Sequence, residues 1–156
     1  MKKIIFITTV IFVPYTYAND CSVNEILIAS CDLSGKVNRK ATFCANEKND
    51  TIKYTFSKGV SSELIVNFNS KEKLKRWVDL GTYTTYLGFN RGKYSYVLSI
   101  PEERPNVVAQ LDVKKDGELI STKQCDSNSF GKKNIKMKSI EDVLDSSVRD
   151  NGFKFP

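Results

Sequence analysis

Apolar and polar side chains alternate in short runs along most of this chain. Thr51-Ile52-Lys53-Tyr54-Thr55-Phe56 puts Ile52, Tyr54 and Phe56 on one face, and Glu63 to Phe68 does the same with Leu64, Val66 and Phe68. Tyr94 to Ile100 aligns Tyr94, Tyr96, Leu98 and Ile100, and Val107 to Val113 aligns Val107, Ala109, Leu111 and Val113. A period of two, enriched in β-branched and aromatic residues, predicts half-buried strands. Weaker alternation marks Glu25–Ser30, Arg39–Ala45, Thr82–Phe89 and Glu118–Lys123. The runs are separated by turn formers: Ser34-Gly35-Lys36, Glu47-Lys48-Asn49-Asp50, Ser57-Lys58-Gly59, Asn90-Arg91-Gly92-Lys93 and Lys115-Asp116-Gly117. Short connections make sequential strands antiparallel neighbours. The expectation is a mainly β domain, an antiparallel sandwich or small barrel of about eight strands.

Two stretches depart from this rhythm. Ser70 to Leu80 suits a turn or two of helix, with Leu74, Trp77 and Val78 on one side, and equally a strand with a polar lead-in. Ser139 to Val148 opens like a capped helix: Ser139 is followed by Asp142, and Ile140, Val143, Leu144 and Val148 are apolar. A short C-terminal helix laid on the sheet is predicted there. The division is a leader at 1–18, a disulfide-bonded β domain at 19–138, and a helix and tail at 139–156. No repeat, low-complexity tract or second domain is evident.

The N-terminus changes the picture from domain to exported domain. Met1-Lys2-Lys3 is positive, Ile4 to Val13 is apolar but for Thr8 and Thr9, and Thr16-Tyr17-Ala18 places small residues at −3 and −1 of a cleavage site. This is the three-part pattern of a secretory signal peptide, too short to anchor in a bilayer. Asp20 directly before Cys21 does not suit lipidation, so soluble export to the periplasm or medium is expected, with a cut after Ala18. The leader removes two of 24 Lys+Arg and none of 18 Asp+Glu, so the mature charge is 22 − 18 = +4. No other stretch is apolar enough to span a membrane.

Export gives the four cysteines a meaning: Cys21, Cys31, Cys44 and Cys125 read as two disulfides with three possible connectivities. The nested pairing is preferred, Cys31–Cys44 across a hairpin and Cys21–Cys125 tying the N-terminus to a late strand. Clustered cysteines also suggest zinc, but there is no C-x2-C pair and no histidine. No metal or other cofactor is expected.

The absence of histidine removes Ser-His-Asp and Cys-His catalysis, and no serine sits in a G-x-S-x-G elbow. Carboxylate chemistry is the enzymatic route left, since paired acids hydrolyse glycosides without histidine. The candidates are Asp112, Asp116 and Glu118, the pair Glu102-Glu103, and Glu141, Asp142 and Asp145. Exposed acids at turns are the plainer account, and the chain reads as a non-enzyme.

Binding is the leading expectation, and the basic turn Phe89-Asn90-Arg91-Gly92-Lys93-Tyr94 is its candidate surface. Arg91 and Lys93, with Tyr94 and Tyr96 beside them, suit insertion into an anionic or carboxylate-lined cleft. A solvated polar turn accounts for the same residues more simply. Two further basic clusters, Lys71, Lys73, Lys75 and Arg76, then Lys132, Lys133, Lys136 and Lys138, suit an anionic surface ligand if they share a face. No aromatic-interleaved basic stripe or nucleic-acid module is present, so nucleic acid is not expected. Trp77 and the tyrosines invite ligand stacking, though aromatics at strand spacing are more often core.

The run Ile28-Ala29-Ser30-Cys31-Asp32-Leu33-Ser34-Gly35-Lys36, then Ala41-Thr42-Phe43-Cys44, Ile52 to Phe56 and Leu87 to Val97, resembles a group of small exported disulfide-containing β-proteins of Gram-negative bacteria. That resemblance implies a periplasmic β fold and adds no activity. In size, export and disulfides the chain is distantly similar to periplasmic lysozyme inhibitors, β proteins that plug a glycosidase cleft with a loop. It departs from them in lacking their Ser-Gly-rich loop ending in Tyr; Ser34-Gly35-Lys36 is only a fragment. The resemblance implies an inhibitor or immunity protein against a cell-wall hydrolase as the alternative to a binder of another ligand.

Overall fold

Tight turns return the chain on itself so often that neighbours in sequence become neighbours in a sheet. In the computed structural model, which describes residues 20–156, strands β1 (Ile26–Leu33), β2 (Arg39–Asn46), β3 (Thr51–Lys58) and β4 (Ser61–Phe68) form one antiparallel sheet in that order. The second sheet takes β5 (Leu74–Val78), β6 (Thr85–Arg91), β7 (Tyr94–Ile100), β8 (Gln110–Lys115) and β9 (Glu118–Gln124), with β10 (Ile140–Val143) outside β5. The result is a β-sandwich made of two successive meanders. The leader expected at 1–18 lies outside the described residues.

Alternation decides which faces meet. Phe43, Tyr54 and Phe68 of the first sheet and Leu87, Phe89, Leu98, Ile100 and Leu111 of the second are all buried in one core. Its centre is aromatic: Tyr54 lies 4.8 Å from Phe43 and 4.9 Å from Phe89, and Phe89 lies 5.3 Å from Phe68, centroid to centroid. The opposite face of the second sheet carries a smaller core. There Trp77 and Val97 are buried against Val148 of helix α1 (Asp145–Asp150) and Phe155 of the C-terminal tail. Gly88 lies under that tail, and a Cβ on it would stand 2.7 Å from Cε1 of Phe155.

The short C-terminal helix is present as α1, but its expected start at Ser139 needs correction. Ile140–Val143 is not helical but a strand parallel to β5, with Ile140 opposite Leu74 and Val143 opposite Trp77. Strand geometry sends Ile140 into the main core and Val143 to the smaller one, which a helix turn would not do. Ser139 does not cap a helix. Its N–H and hydroxyl donate to Asp50 Oδ1, at 3.3 and 3.4 Å, and the helix starts only after Leu144. Ser70–Leu80 resolves as β5 behind a polar lead-in, and β8 begins at Gln110 rather than Val107.

β10 is held by an ion pair. Arg76, 3 % exposed at its side chain, donates to both oxygens of Asp142, at 2.6 and 3.0 Å, and through Nη1 to the carbonyls of Lys133 and Ile135, each at 2.8 Å. Those Arg76 bonds, foremost, hold the Asp142 carboxyl below its ordinary 3.8; burial opposes them and Lys136 adds to them.

The disulfide pairing is also corrected: the bonds are Cys21–Cys44 and Cys31–Cys125. In the β1–β2 ladder Cys31 pairs with Ala41, so both point into the core, whereas Cys44 is an odd number of residues from Ala41 and faces outward. The two cannot meet across the hairpin. Cys31 reaches across the core to Cys125, and Cys44 meets the N-terminal segment on the outer face.

Four outcomes are expected. Cys31–Cys125 closes a span of 94 residues and Cys21–Cys44 one of 23. Chain entropy then assigns them about 4.7 and about 3.4 kcal/mol. Cys31→Ala with Cys125→Ala should lower the denaturant midpoint more than the other double change. Tyr54 carries a fully buried hydroxyl with no partner among the described residues. Such a group costs about 1–3 kcal/mol, so Tyr54→Phe should leave stability equal or higher by urea unfolding. A lowered carboxyl contributes stability above its ordinary value, and that contribution is lost as pH falls through the lower folded value. Asp142→Asn should therefore destabilise at pH 7, and the gap from the parent should narrow as pH falls below 3.8. Arg76→Met, which strips two carbonyls of their donor, should cost about 1–3 kcal/mol in the same assay.

Candidate functional site

Register builds the basic tip. Arg91 pairs with Tyr94 at the end of the β6–β7 ladder, leaving Gly92 and Lys93 as a two-residue turn. Gly92 has φ 59°, which matches the right-handed twist of the flanking strands and suits a residue without Cβ. The neighbouring β8–β9 turn braces it, Asp116 N–H donating to the Lys93 carbonyl at 2.8 Å. Arg91 and Lys93 are exposed. Neither side chain has an ion pair or hydrogen bond among the described residues.

The two tyrosines divide. Tyr94 is 39 % exposed at the edge of the tip, with the Lys115 ammonium 6.0 Å from its ring centroid. Tyr96 lies further in, stacked on Phe89 at 5.0 Å and half-buried against the main core. The tip surface is therefore Arg91, Lys93 and Tyr94, with Tyr96 as its footing.

Arg91 also borders a cleft of about 740 Å3 between β4 and the β5–β6 side of the second sheet. Val66, Phe68 and Phe89 make its apolar wall, and Lys73, Lys75 and Arg91 face Glu72 around it. The two basic clusters do not merge into one free patch. Arg76 is consumed in the buried pair with Asp142, and Lys136 binds the same carboxylate at 2.9 Å.

Of the eight candidate acids, Asp112, Glu102, Asp142 and Asp145 are engaged, while Glu103, Asp116, Glu118 and Glu141 have no side-chain partner among the described residues. Asp112 accepts from Gln110 at 3.0 Å and from the Thr122 hydroxyl at 2.7 Å, and Glu102 accepts from Arg104 Nε at 3.0 Å. At Asp145 burial raises the carboxyl, but bonds from Arg149 and Trp77 outweigh it and hold the group low. Trp77 is 4 % exposed, stacked on Tyr86 at 4.3 Å, with its N–H given to Asp145 at 2.8 Å. It is a core residue without a face for a ligand. Among the described residues no group of three Cys, Asp or Glu is placed to hold a metal ion. Among them, too, no helix is long and apolar enough to cross a membrane.

A second cleft went unmarked in the sequence. It opens where β1, β2 and β3 face β8 and β9, with a volume of about 460 Å3. Leu33, Phe56, Leu111 and Val113 form its floor, and Lys36, Arg39, Lys58 and Lys123 surround it with Glu63. Arg39 and Lys58 are direct partners in the β2–β3 ladder, and Lys123 is the partner of Leu111. Arg39, Lys58 and Lys123 come from three strands, so only their shared strand parity could have signalled them, and Lys36 comes from the β1–β2 loop.

Two disulfides place the folding of this chain in an oxidising compartment, as for an exported protein. No protein-family model, curated protein or solved structure matches it.

Proposed function

We propose that this chain is a periplasmic binding protein, cut after Ala18, that works by recognising an acidic protein surface and not by catalysis. The observation that carries the reading is the braced β6–β7 tip, where Arg91 and Lys93 stand exposed with no side-chain partner among the described residues. The turn backbone is already ordered and has little freedom to lose on binding, and a free guanidinium presents its bidentate fork to a carboxylate. The acids support the same reading. Glycoside hydrolysis needs a general acid with a raised pKa, whereas Asp142 and Asp145 are both held low.

An inhibitor or immunity protein against a cell-wall hydrolase is the second reading. The projecting tip favours it, because a hydrolase cleft lined by carboxylates offers the partner that Arg91 lacks. Against it, many such hydrolases are basic, which opposes long-range attraction to a chain of charge +4 after cleavage.

The test uses the mature, oxidised protein as bait for periplasmic proteins, followed by titration of the purified partner at low and high salt. Arg91→Ala with Lys93→Ala should weaken binding at least about tenfold, the size expected for lost charged hydrogen bonds. Affinity should also fall as salt rises. Undiminished binding by that variant would overturn the assignment of the tip.

A further inference from the structure

We infer that the cleft between β1–β3 and β8–β9 binds a single-chain amphiphile with an anionic head group. The site is separate from the β6–β7 tip and shares no residue with it. Arg39 and Lys58 lie directly opposite each other, and their neighbours in the ladder, Ala41 and Phe56, are also partners and face the core. Two like charges opposite one another destabilise a sheet. Here they sit at the mouth of the sandwich on its inward-facing side. Glu63 relieves one of them, its carboxylate 3.5 Å from Arg39 Nε. Lys36, Lys58 and Lys123 have no ion pair among the described residues, so the rim keeps a charge of 4 − 1 = +3.

The floor is hydrocarbon. Leu111 is buried, and Leu33, Phe56 and Val113 are half-buried. A small inorganic anion would answer the rim and leave the floor wet. A neutral hydrocarbon would cover the floor and desolvate the cations without a partner, which is costly. A molecule with a short alkyl chain and a carboxylate or phosphate head satisfies both. The volume of about 460 Å3 falls within the roughly 300–1,000 Å3 of small-molecule sites. One wall of the cleft is also fixed in advance: Leu33 follows Cys31 by two residues, and Cys31–Cys125 sets the spacing of the sheets beside it.

The experiment titrates the oxidised protein with octanoate, decanoate and dodecanoate, then with dodecyl phosphate, dodecyltrimethylammonium and inorganic phosphate. Calorimetry gives affinities and NMR locates the perturbed residues. Affinity should rise about fourfold per methylene until the cleft is filled, with shifts at Leu33, Phe56 and Val113. Lys58→Glu and Lys123→Glu, both on exposed side chains, should each weaken dodecanoate at least about tenfold. Lys48→Glu, in the distant β2–β3 turn, should match the parent. Tighter binding by either the carboxylate or the phosphate head supports the inference and names the head group. Three results overturn it: equal affinity for the trimethylammonium probe, inorganic phosphate as tight as dodecanoate, or shifts elsewhere than this cleft. Thermal melts of each variant separate lost binding from lost folding.

Discussion

The ladder bonds of this molecule lie within one sheet or the other, because each sheet is a meander assembled from its own half of the chain. What presses the sheets together is side-chain packing, the Asp50 bonds to Lys138 and Ser139, the bonds that tie residues 126–132 to β1, and the covalent link Cys31–Cys125. That link sits toward one edge, where β1 faces β9, and the aromatic contacts of Tyr54, Phe89 and Phe68 hold the middle. The bond has the effect of a hinge pin. It fixes the separation of the sheets beside the cleft that Leu33 and Leu111 line. Since the closing span is long, the same bond removes the most freedom from the unfolded chain.

The charged residues divide according to how this frame uses them. Some are structural. Arg76, buried and bonded to Asp142 and two carbonyls, attaches β10 to the edge of the second sheet. Arg149 joins Asp145 and Asp79, fixing α1 over Trp77. Others have no side-chain partner among the described residues, and five of these stand at two openings: Arg91 and Lys93 on the paired hairpin tips, and Lys36, Lys58 and Lys123 around the cleft beside Cys31–Cys125. Partner and amphiphile would meet the protein at different places, and changes at one need not disturb the other.

Local pattern was a good guide wherever a strand has one wet and one dry face. Ile52, Tyr54 and Phe56 announce β3, and Tyr94 to Ile100 coincides with β7 as observed. The turn at Gly92 was legible as well, since a glycine between alternating runs specifies a hairpin. The pattern misled at Ser139 to Val148, where apolar residues at near-helical spacing serve two faces of a short parallel strand and then one turn of helix. A strand of four residues has too little length to show its period, and its pairing with β5 depends on an edge that sequence does not display. Arg76 looked like one of a run of surface cations for a related reason: only the pairing of β5 with β10 buries it, where Asp142 and two carbonyls receive it, while Lys75 beside it stays half-exposed.

By itself, then, the amino-acid sequence determined the strand-rich class, most of the hairpins, the expectation of disulfides and the basic tip. These follow from side-chain periodicity, turn chemistry and composition, which act over a few residues. Tertiary structure alone decided which cysteines bond, which acids and cations neutralise each other, and where free cations meet apolar floor. Each of those depends on strand register, and a shift of one residue moves a side chain to the opposite face. Cys44 points outward and Cys31 inward for that reason, and Arg39 and Lys58 share a cleft with Lys123 for the same one.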